Sequence, residues 1–137
     1  MYCIEKHELQ RLFYPEIPKI YCLDTAILMH HASWIWDVPI FFYYEDKYDI
    51  IPSFYIQAIP IKSFDEIDYT GKEPYLYTTA EQTLLDCFKY DGLVDWQAVC
   101  DYFQRFHYRF PGRIYELSPN DKWTEEIKMI VEDVYYG

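Results

Sequence analysis

The stretch YTTAEQTLLDCFKYDG (residues 77–92) links a short predicted strand to a sharply started helix. Thr78 and Thr79 stand where a helix needs its N-cap residue. The spacing of a capping box is met by Thr78 with Glu81, and it is also met by Thr79 with Gln82. An apolar face follows at helical spacing and consists of Ala80, Leu84, Cys87 and Phe88. A strand that passes directly into an amphipathic helix predicts a fold that contains both element types.

Two acidic residues of this helix differ in their predicted surroundings. Glu81 lies inside the apolar face, whereas Asp86 lies on the opposite, polar side. A carboxylate in an apolar stripe is tolerated where it meets the free amides of the first turn and the positive end of the helix dipole. We therefore expect Thr79, Glu81 and Asp86 to form a helix-start motif. A catalytic acid is disfavoured because no second acid, histidine or metal-ligand spacing lies nearby.

Periodicity and capping residues divide the rest of the chain into further elements. Strands are predicted at 19–22, 40–45, 53–59 and 75–78, with a short additional strand at 113–117. Helices are predicted at 4–13, at 25–36 with Asp24 as its cap, at 96–107 with Asp95 as its cap, and at 118–135. Residues 63–74 are predicted to be mostly loop. The result is a single α+β domain over 1–137, with a small mixed or antiparallel sheet of about four strands packed with three to five helices.

Composition restricts the class of partner. Hydrophobic residues make up 51% of the 137 positions and aromatic residues 21%, which is typical of a packed globule with tyrosine-rich surfaces. The net charge of -11 opposes nucleic acid and favours basic protein partners, so we expect no direct binding of duplex DNA. No apolar run reaches membrane-spanning length, and four cysteines without zinc-site spacing are typical of buried thiols in the cytoplasm.

Motifs for catalysis or cofactor binding are missing from the sequence. It contains no phosphate-binding glycine loop, nucleophile elbow or metal-ligand pair, so we expect no cofactor, no metal and no enzymatic activity. His30 lies on the apolar stripe of the 25–36 helix, and neither it nor His31 has a companion ligand at helical spacing. We interpret His30 as a hydrogen-bonded core histidine.

One basic stretch, RFHYRFPGR (105–113), stands out in this acidic chain. It holds three of the four arginines, interleaved with aromatic residues. Arginines interleaved with aromatic residues can bind single-stranded nucleic acid, but these arginines can equally pair with the surplus of surrounding acids. If the stretch binds a partner, the candidate contact residues are Arg105, Tyr108, Arg109 and Arg113.

The segments DTAILMHHASWIWDVP (24–39) and YLYTTAEQTLLDCF (75–88) resemble the AbiEi-type antitoxin family of type IV toxin–antitoxin systems. The resemblance covers about residues 20–105. Its matching positions are Ala26, Leu28, His31, Pro39, Thr79, Glu81, Thr83, Leu84, Leu85 and Asp86. Ala80 and Gln82 stand where the family usually has proline and arginine. Because only residues 1–19 precede the match, we expect the antitoxin half without the family's N-terminal winged helix.

The resemblance implies a protein-interaction domain that neutralises or regulates a nucleotidyltransferase-like toxin in phage defence. An alternative follows from size, acidity and the missing catalytic motifs. A small acidic inhibitor of the kind phages encode could block a nucleic-acid-handling protein by imitating the charge of phosphates. Both readings predict a non-enzymatic, cytoplasmic chain whose partner is a toxin or another basic protein.

Overall fold

A computed structural model describes residues 17–30, 40–50 and 56–132. The predicted helix 4–13 lies outside the described residues. So do His31, Pro39, the second half of the predicted helix 25–36, the start of the predicted strand 53–59 and the end of the predicted helix 118–135.

The described residues form a five-stranded mixed sheet and five α-helices, which confirms the predicted α+β class. The strands are β1 (Ile20–Tyr21), β2 (Ile40–Glu45), β3 (Ile56–Ile61), β4 (Tyr69–Thr70) and β5 (Tyr77–Thr78). The helices are α1 (Leu23–Met29), α2 (Ala80–Lys89), α3 (Trp96–Arg109), α4 (Arg113–Leu117) and α5 (Asp121–Val131). A 3-10 helix spans Phe64–Glu66.

The sheet has the strand order β3-β2-β1-β5-β4. The β1–β2 and β4–β5 pairs are antiparallel, and the β1–β5 and β2–β3 pairs are parallel. Successive residues of β2 point to opposite faces, and both faces are buried. Phe41 and Tyr43 pack in one apolar cluster, and Ile40 and Phe42 pack in another. The predicted bounds of β2, 40–45, are the observed ones.

The helices build a separate apolar cluster around α3. The predicted apolar face of α2, including Leu84, Cys87 and Phe88, packs against Phe103 and Phe106 of α3 in this cluster. Ile114 of α4 and residues of α5 complete it. The helix α3 therefore lies at the centre of the helical layer, and its other side remains available to solvent.

Side-chain caps begin three of the five α-helices in the described residues, namely α2, α3 and α5. The Asp95 carboxylate accepts a hydrogen bond from the Ala98 amide (3.2 Å), as the sequence predicts. Asn120 caps α5 by accepting from the Trp123 amide (2.9 Å), so this helix begins at Asp121, three residues later than the predicted 118. The prediction that Asp24 caps α1 is wrong, because the helix begins at Leu23 after Cys22 and encloses Asp24 in its first turn.

Two segments differ from their predicted type. Residues 113–117, predicted as a strand, form α4, because Gly112 turns the chain at a φ of 82° and Ile114 is then buried against α3. The strand β4 lies in the segment predicted as loop, where both of its residues are exposed and carry no apolar alternation. The edge strand β3 passes through Pro60, which is tolerated because an edge strand leaves one side of its backbone unpaired.

Candidate functional site

The helix-start motif is a structural corner between β5 and α2. The Thr79 hydroxyl accepts a hydrogen bond from the Gln82 amide at 3.3 Å, which confirms Thr79 as the cap of α2. The reciprocal half of a capping box is not formed, because the Thr79 amide donates to the Asp68 carbonyl. Thr78 is fully buried, and its hydroxyl lies 2.6 Å from that of Thr83. Because the Thr83 hydroxyl donates to the Thr79 carbonyl (2.8 Å), the Thr78 hydroxyl donates to Thr83. These contacts fix the angle at which the helix leaves the sheet.

Glu81 lies in the first turn of α2, but its carboxylate does not bind the amides there. Its side chain is 47% exposed, and Oε1 accepts a hydrogen bond from Nε of Arg113 at 2.7 Å. This hydrogen bond lowers the pKa of Glu81. The predicted capping role of Glu81 is therefore wrong, because the fold places α4 and its arginine beside the start of α2.

Asp86, predicted on the polar side of α2, is 2% exposed. Its Oδ1 accepts a hydrogen bond from Gln82 Nε2 at 3.0 Å, and its Oδ2 has no hydrogen-bond partner of good geometry among the described residues. Burial raises the pKa of Asp86 to about 6, although Gln82, the nearby Tyr43 hydroxyl and Lys89 oppose the shift. The prediction that Asp86 lies on a polar side is wrong because α2 is covered on two sides. The other helices cover its apolar face, and the sheet covers the side that carries Asp86.

Asp24 is a second buried carboxyl group. It is 2% exposed, and both of its oxygens accept from the Asp95 amide at 3.2–3.3 Å. Burial raises the pKa of Asp24 to about 7. The contact joins the first turn of α1 to the residue that caps α3, so this carboxyl group holds two helices together.

The thiols of Cys22 and Cys87 lie close to these carboxyl groups. Both cysteines are fully buried, and burial, reinforced by the neighbouring carboxylates, raises the pKa of each thiol well above its ordinary value. Such thiols are poor nucleophiles because they stay protonated. Within residues 17–30, 40–50 and 56–132, no group of three or more His, Cys, Asp or Glu side chains could hold a metal ion.

A recess of about 200 Å³ opens beside the C-terminal half of α3. Six consecutive or nearly consecutive residues form most of it, namely Tyr102, Arg105, Phe106, Tyr108, Arg109 and Phe110. His30 and Ala80 close its other side. We call these eight residues the arginine–aromatic groove. It contains two of the four arginines of an otherwise strongly acidic chain.

Hydrogen bonds hold the inner wall of the groove in place. The Tyr102 hydroxyl donates to the Ala80 carbonyl at 2.7 Å, and burial raises the pKa of Tyr102. His30 Nε2 lies 2.9 Å from the Thr78 carbonyl oxygen, which can only accept, so Nε2 carries a hydrogen. The His30 ring also packs edge-on against Tyr77. His30 is hydrogen-bonded as the sequence predicts, but it is half-buried at the edge of the groove and not a core residue.

The rim of the groove is exposed. Tyr108 is 77% exposed, the largest fraction among the large hydrophobic residues that the structure describes. Phe110 is 38% exposed, and its ring packs at a tilted angle against Phe106 with 5.0 Å between ring centroids. The guanidinium of Arg109 lies over the Phe110 ring at 5.3 Å. Cationic and aromatic groups thus share one solvent-facing edge.

The structure separates the four predicted contact residues into two groups. Arg105, Tyr108 and Arg109 meet in the groove, whereas Arg113 lies outside its lining and binds Glu81 and Glu116. The pairing of an arginine with surrounding acids is therefore observed for Arg113, and a binding role of the other three residues stays a prediction. Sequence reasoning missed the contribution of His30 and Ala80, because nothing in their local sequence indicates which distant helix they face.

Comparison with known proteins adds no identification. No protein-family model matches the chain, and no curated protein matches it. No helix in the described part of the chain has the length and apolar character that a membrane crossing requires.

Proposed function

We propose that this chain is a non-enzymatic protein-interaction domain that binds its partner through the arginine–aromatic groove. The observation that carries the proposal is the meeting of two arginines and two exposed aromatic side chains around one recess. Arginine and tyrosine are enriched in protein interfaces, and they dominate binding energy where a pocket excludes water. An exposed tyrosine such as Tyr108 supplies a large contact area at little cost in conformational entropy.

A binding role rather than a catalytic one is supported by the state of the reactive groups. The thiols of Cys22 and Cys87 are buried and protonated, and the carboxyl groups of Asp24 and Asp86 are enclosed in the core. The hydrogen on His30 Nε2 is used by the Thr78 carbonyl. None of these groups combines exposure with a poised neighbour, which acid–base or nucleophilic catalysis requires. Free cysteines in the described residues fit a cytoplasmic location.

The resemblance to AbiEi-type antitoxins suggests the partner, a nucleotidyltransferase-like toxin. The motif residues Thr79, Thr83 and Asp86 lie in the first half of α2 and its junction with β5, so they stabilise the fold of this chain rather than form a contact surface. Ala80, at the same corner, borders the groove. The net charge of -11 would accelerate association with a basic partner, and the groove would determine its orientation.

One observation favours the alternative function, an acidic inhibitor of a nucleic-acid-handling protein. Four exposed acids lie before and after β4, at one edge of the sheet, namely Asp65, Glu66, Asp68 and Glu73. A row of exposed carboxylates can occupy a surface that normally binds phosphates. In that case the acidic edge, and not the groove, would carry the interaction.

The two functions are separated by binding measurements on matched variants. The test uses the purified chain and a nucleotidyltransferase-like toxin encoded beside its gene, with affinity measured by isothermal titration calorimetry. Replacing Arg105 and Arg109 by glutamine should weaken binding at least about tenfold, the usual effect of losing charged hydrogen bonds. The control, Arg113→Gln, removes the same kind of charge outside the groove and should leave affinity within about twofold.

Two outcomes would contradict a role of the groove in binding the partner. Unchanged affinity in the double groove variant, with a native circular dichroism spectrum, would overturn the proposed role of the groove. Loss of binding only when Asp65, Glu66 and Asp68 are neutralised would favour the acidic inhibitor instead. Toxin rescue in growing cells should follow the same order as the measured affinities.

A further inference from the structure

We infer that the arginine–aromatic groove takes the C-terminal residue of a partner protein, provided that this residue is large and apolar. The inference rests on the proposed function and specifies the chemistry of the partner. A C-terminal residue joins a carboxylate and a side chain to one carbon atom. Both groups can therefore enter a recess that is too small for a longer segment.

The two guanidinium groups account for the carboxylate. Arg105 and Arg109 are four residues apart on α3, so they lie on the same face of the helix about one turn from each other. Both are exposed and both line the groove. A carboxylate between them can accept hydrogen bonds from each, and guanidinium groups match the planar geometry of a carboxylate.

The aromatic residues account for the apolar side chain. Phe106 and Tyr102 form a buried floor, with 2% and 3% of their surfaces exposed, and Phe110 continues this floor to the rim. The Tyr102 hydroxyl is already bonded to the Ala80 carbonyl, so this ring presents an apolar face. An aliphatic or aromatic side chain placed here would be removed from water at the same time as its carboxylate is paired.

Size and charge disfavour the other anions that arginines bind. The recess of about 200 Å³ is below the range of drug-sized pockets, which begins at about 300 Å³, and it suits one residue rather than a run of stacked bases. A polyanion would also meet the field of a chain with net charge -11. A single carboxylate on an otherwise basic protein avoids this repulsion.

The test titrates three small probes into the full chain and follows backbone amide shifts by nuclear magnetic resonance. N-acetyl-phenylalanine carries the carboxylate and the ring, N-acetyl-phenylalaninamide lacks the charge, and N-acetyl-glycine lacks the ring. The first should shift amides of α3 around residues 102–110 with a millimolar Kd, as expected for a fragment of this size. Each of the other two should bind about tenfold more weakly.

Variants show whether the arginines act as described. Arg105→Gln and Arg109→Gln should each weaken N-acetyl-phenylalanine about tenfold while leaving the spectrum of the free protein folded. Arg113→Gln, a matched change outside the groove, should leave its Kd unchanged. Equal affinity for the acid and the amide, or shifts confined to residues outside α3, would overturn the inference.

Further outcomes separate this inference from the proposed function. Tighter binding of an eight-residue oligo(dT) than of N-acetyl-phenylalanine would overturn the inference and assign the groove to single-stranded nucleic acid. A partner that requires Arg105 and Arg109 while the acid and amide probes bind alike would also overturn it, but would leave the proposed function intact. Selective binding of the acid by the groove, with partner affinity unchanged in the groove variants, would show that the groove recognises a carboxylate beside a ring, but it would overturn both the inferred contact with a partner's C-terminal residue and the proposed function.

Discussion

Raising the pH from about 5 to about 8 should destabilise the folded chain, because it ionises two carboxyl groups that folding buries. Asp24 and Asp86 are each 2% exposed. Burial raises the pKa of Asp24 from 3.8 to about 7 and that of Asp86 from 3.8 to about 6. A carboxyl group whose pKa is raised by folding makes its full contribution to the stability of the folded state at pH values below its unfolded pKa. Its contribution is lost as the pH rises through the folded value.

The size of the loss follows from the two pKa values. The folded pKa of Asp86, about 6, lies about one unit above pH 5, and that of Asp24, about 7, lies about two units above it. Stability is lost over these intervals as the pH rises. At about 1.36 kcal/mol per unit, these contribute about 1.4 and about 3 kcal/mol. The free energy of unfolding should therefore fall by at most about 4 kcal/mol. This is a large part of the total stability of an ordinary domain, which is about 5–15 kcal/mol. Most of the fall should occur below about pH 7.

The assay is urea unfolding at several pH values from about 5 to about 8, followed by tryptophan fluorescence. The variant Asp86→Asn keeps an oxygen for the Gln82 amide but cannot ionise. Between these two pH values, the free energy of unfolding of this variant should therefore fall by about 1 kcal/mol less than that of the original chain. The matched control is Asp91→Asn, at an exposed position in the turn after α2. Its free energy of unfolding should change with pH as steeply as that of the original chain.

Two results would refute this reasoning. The first is a free energy of unfolding that is constant or rises over this pH range. The second is an equal slope for Asp86→Asn and Asp91→Asn, which would mean that the buried carboxyl group does not carry the pH dependence. A change in the denaturant m-value with pH would indicate an altered unfolded state. A shift of the urea midpoint at constant m-value indicates the change in stability that is expected here.

Four shorter predictions concern stability and binding. Thr79→Ala should cost about 1 kcal/mol in urea unfolding through loss of the cap, whereas Thr70→Ala on the exposed edge strand should cost less. Glu81→Ala should hardly move the thermal midpoint, since Arg113 retains Glu116; a loss as large as that of Thr79→Ala would restore the capping role. A chelator should leave the thermal midpoint unchanged, and one bound equivalent of zinc by elemental analysis would contradict this. Duplex DNA should give no gel shift at physiological salt, and micromolar affinity with a steep salt dependence would be the opposing result.

Local chemistry allowed several elements to be predicted from the sequence alone. The bounds of β2 and the capping of α3 by Asp95 were predicted correctly, and the cap of α2, Thr79, was one of the two that the sequence offered. These features depend on residues within a few positions of each other, namely a run of β-forming side chains or a cap and the amide that it binds. The interleaving of arginines with aromatic residues grouped Arg105, Tyr108, Arg109 and Arg113 as candidate contact residues, and the structure brings the first three of them together in one recess.

Tertiary packing decided the features that the sequence misrepresented. A helical wheel divides α2 into one apolar and one polar side, but in the fold the helices cover one side and the sheet covers another, so Asp86 is buried. Residues 113–117 became a helix because Ile114 packs against α3, and this brought Arg113 to Glu81. The groove needs His30 and Ala80 from other elements. Local pattern determines where a helix begins and which face is apolar, but only the arrangement of several elements determines which polar side chains lose water.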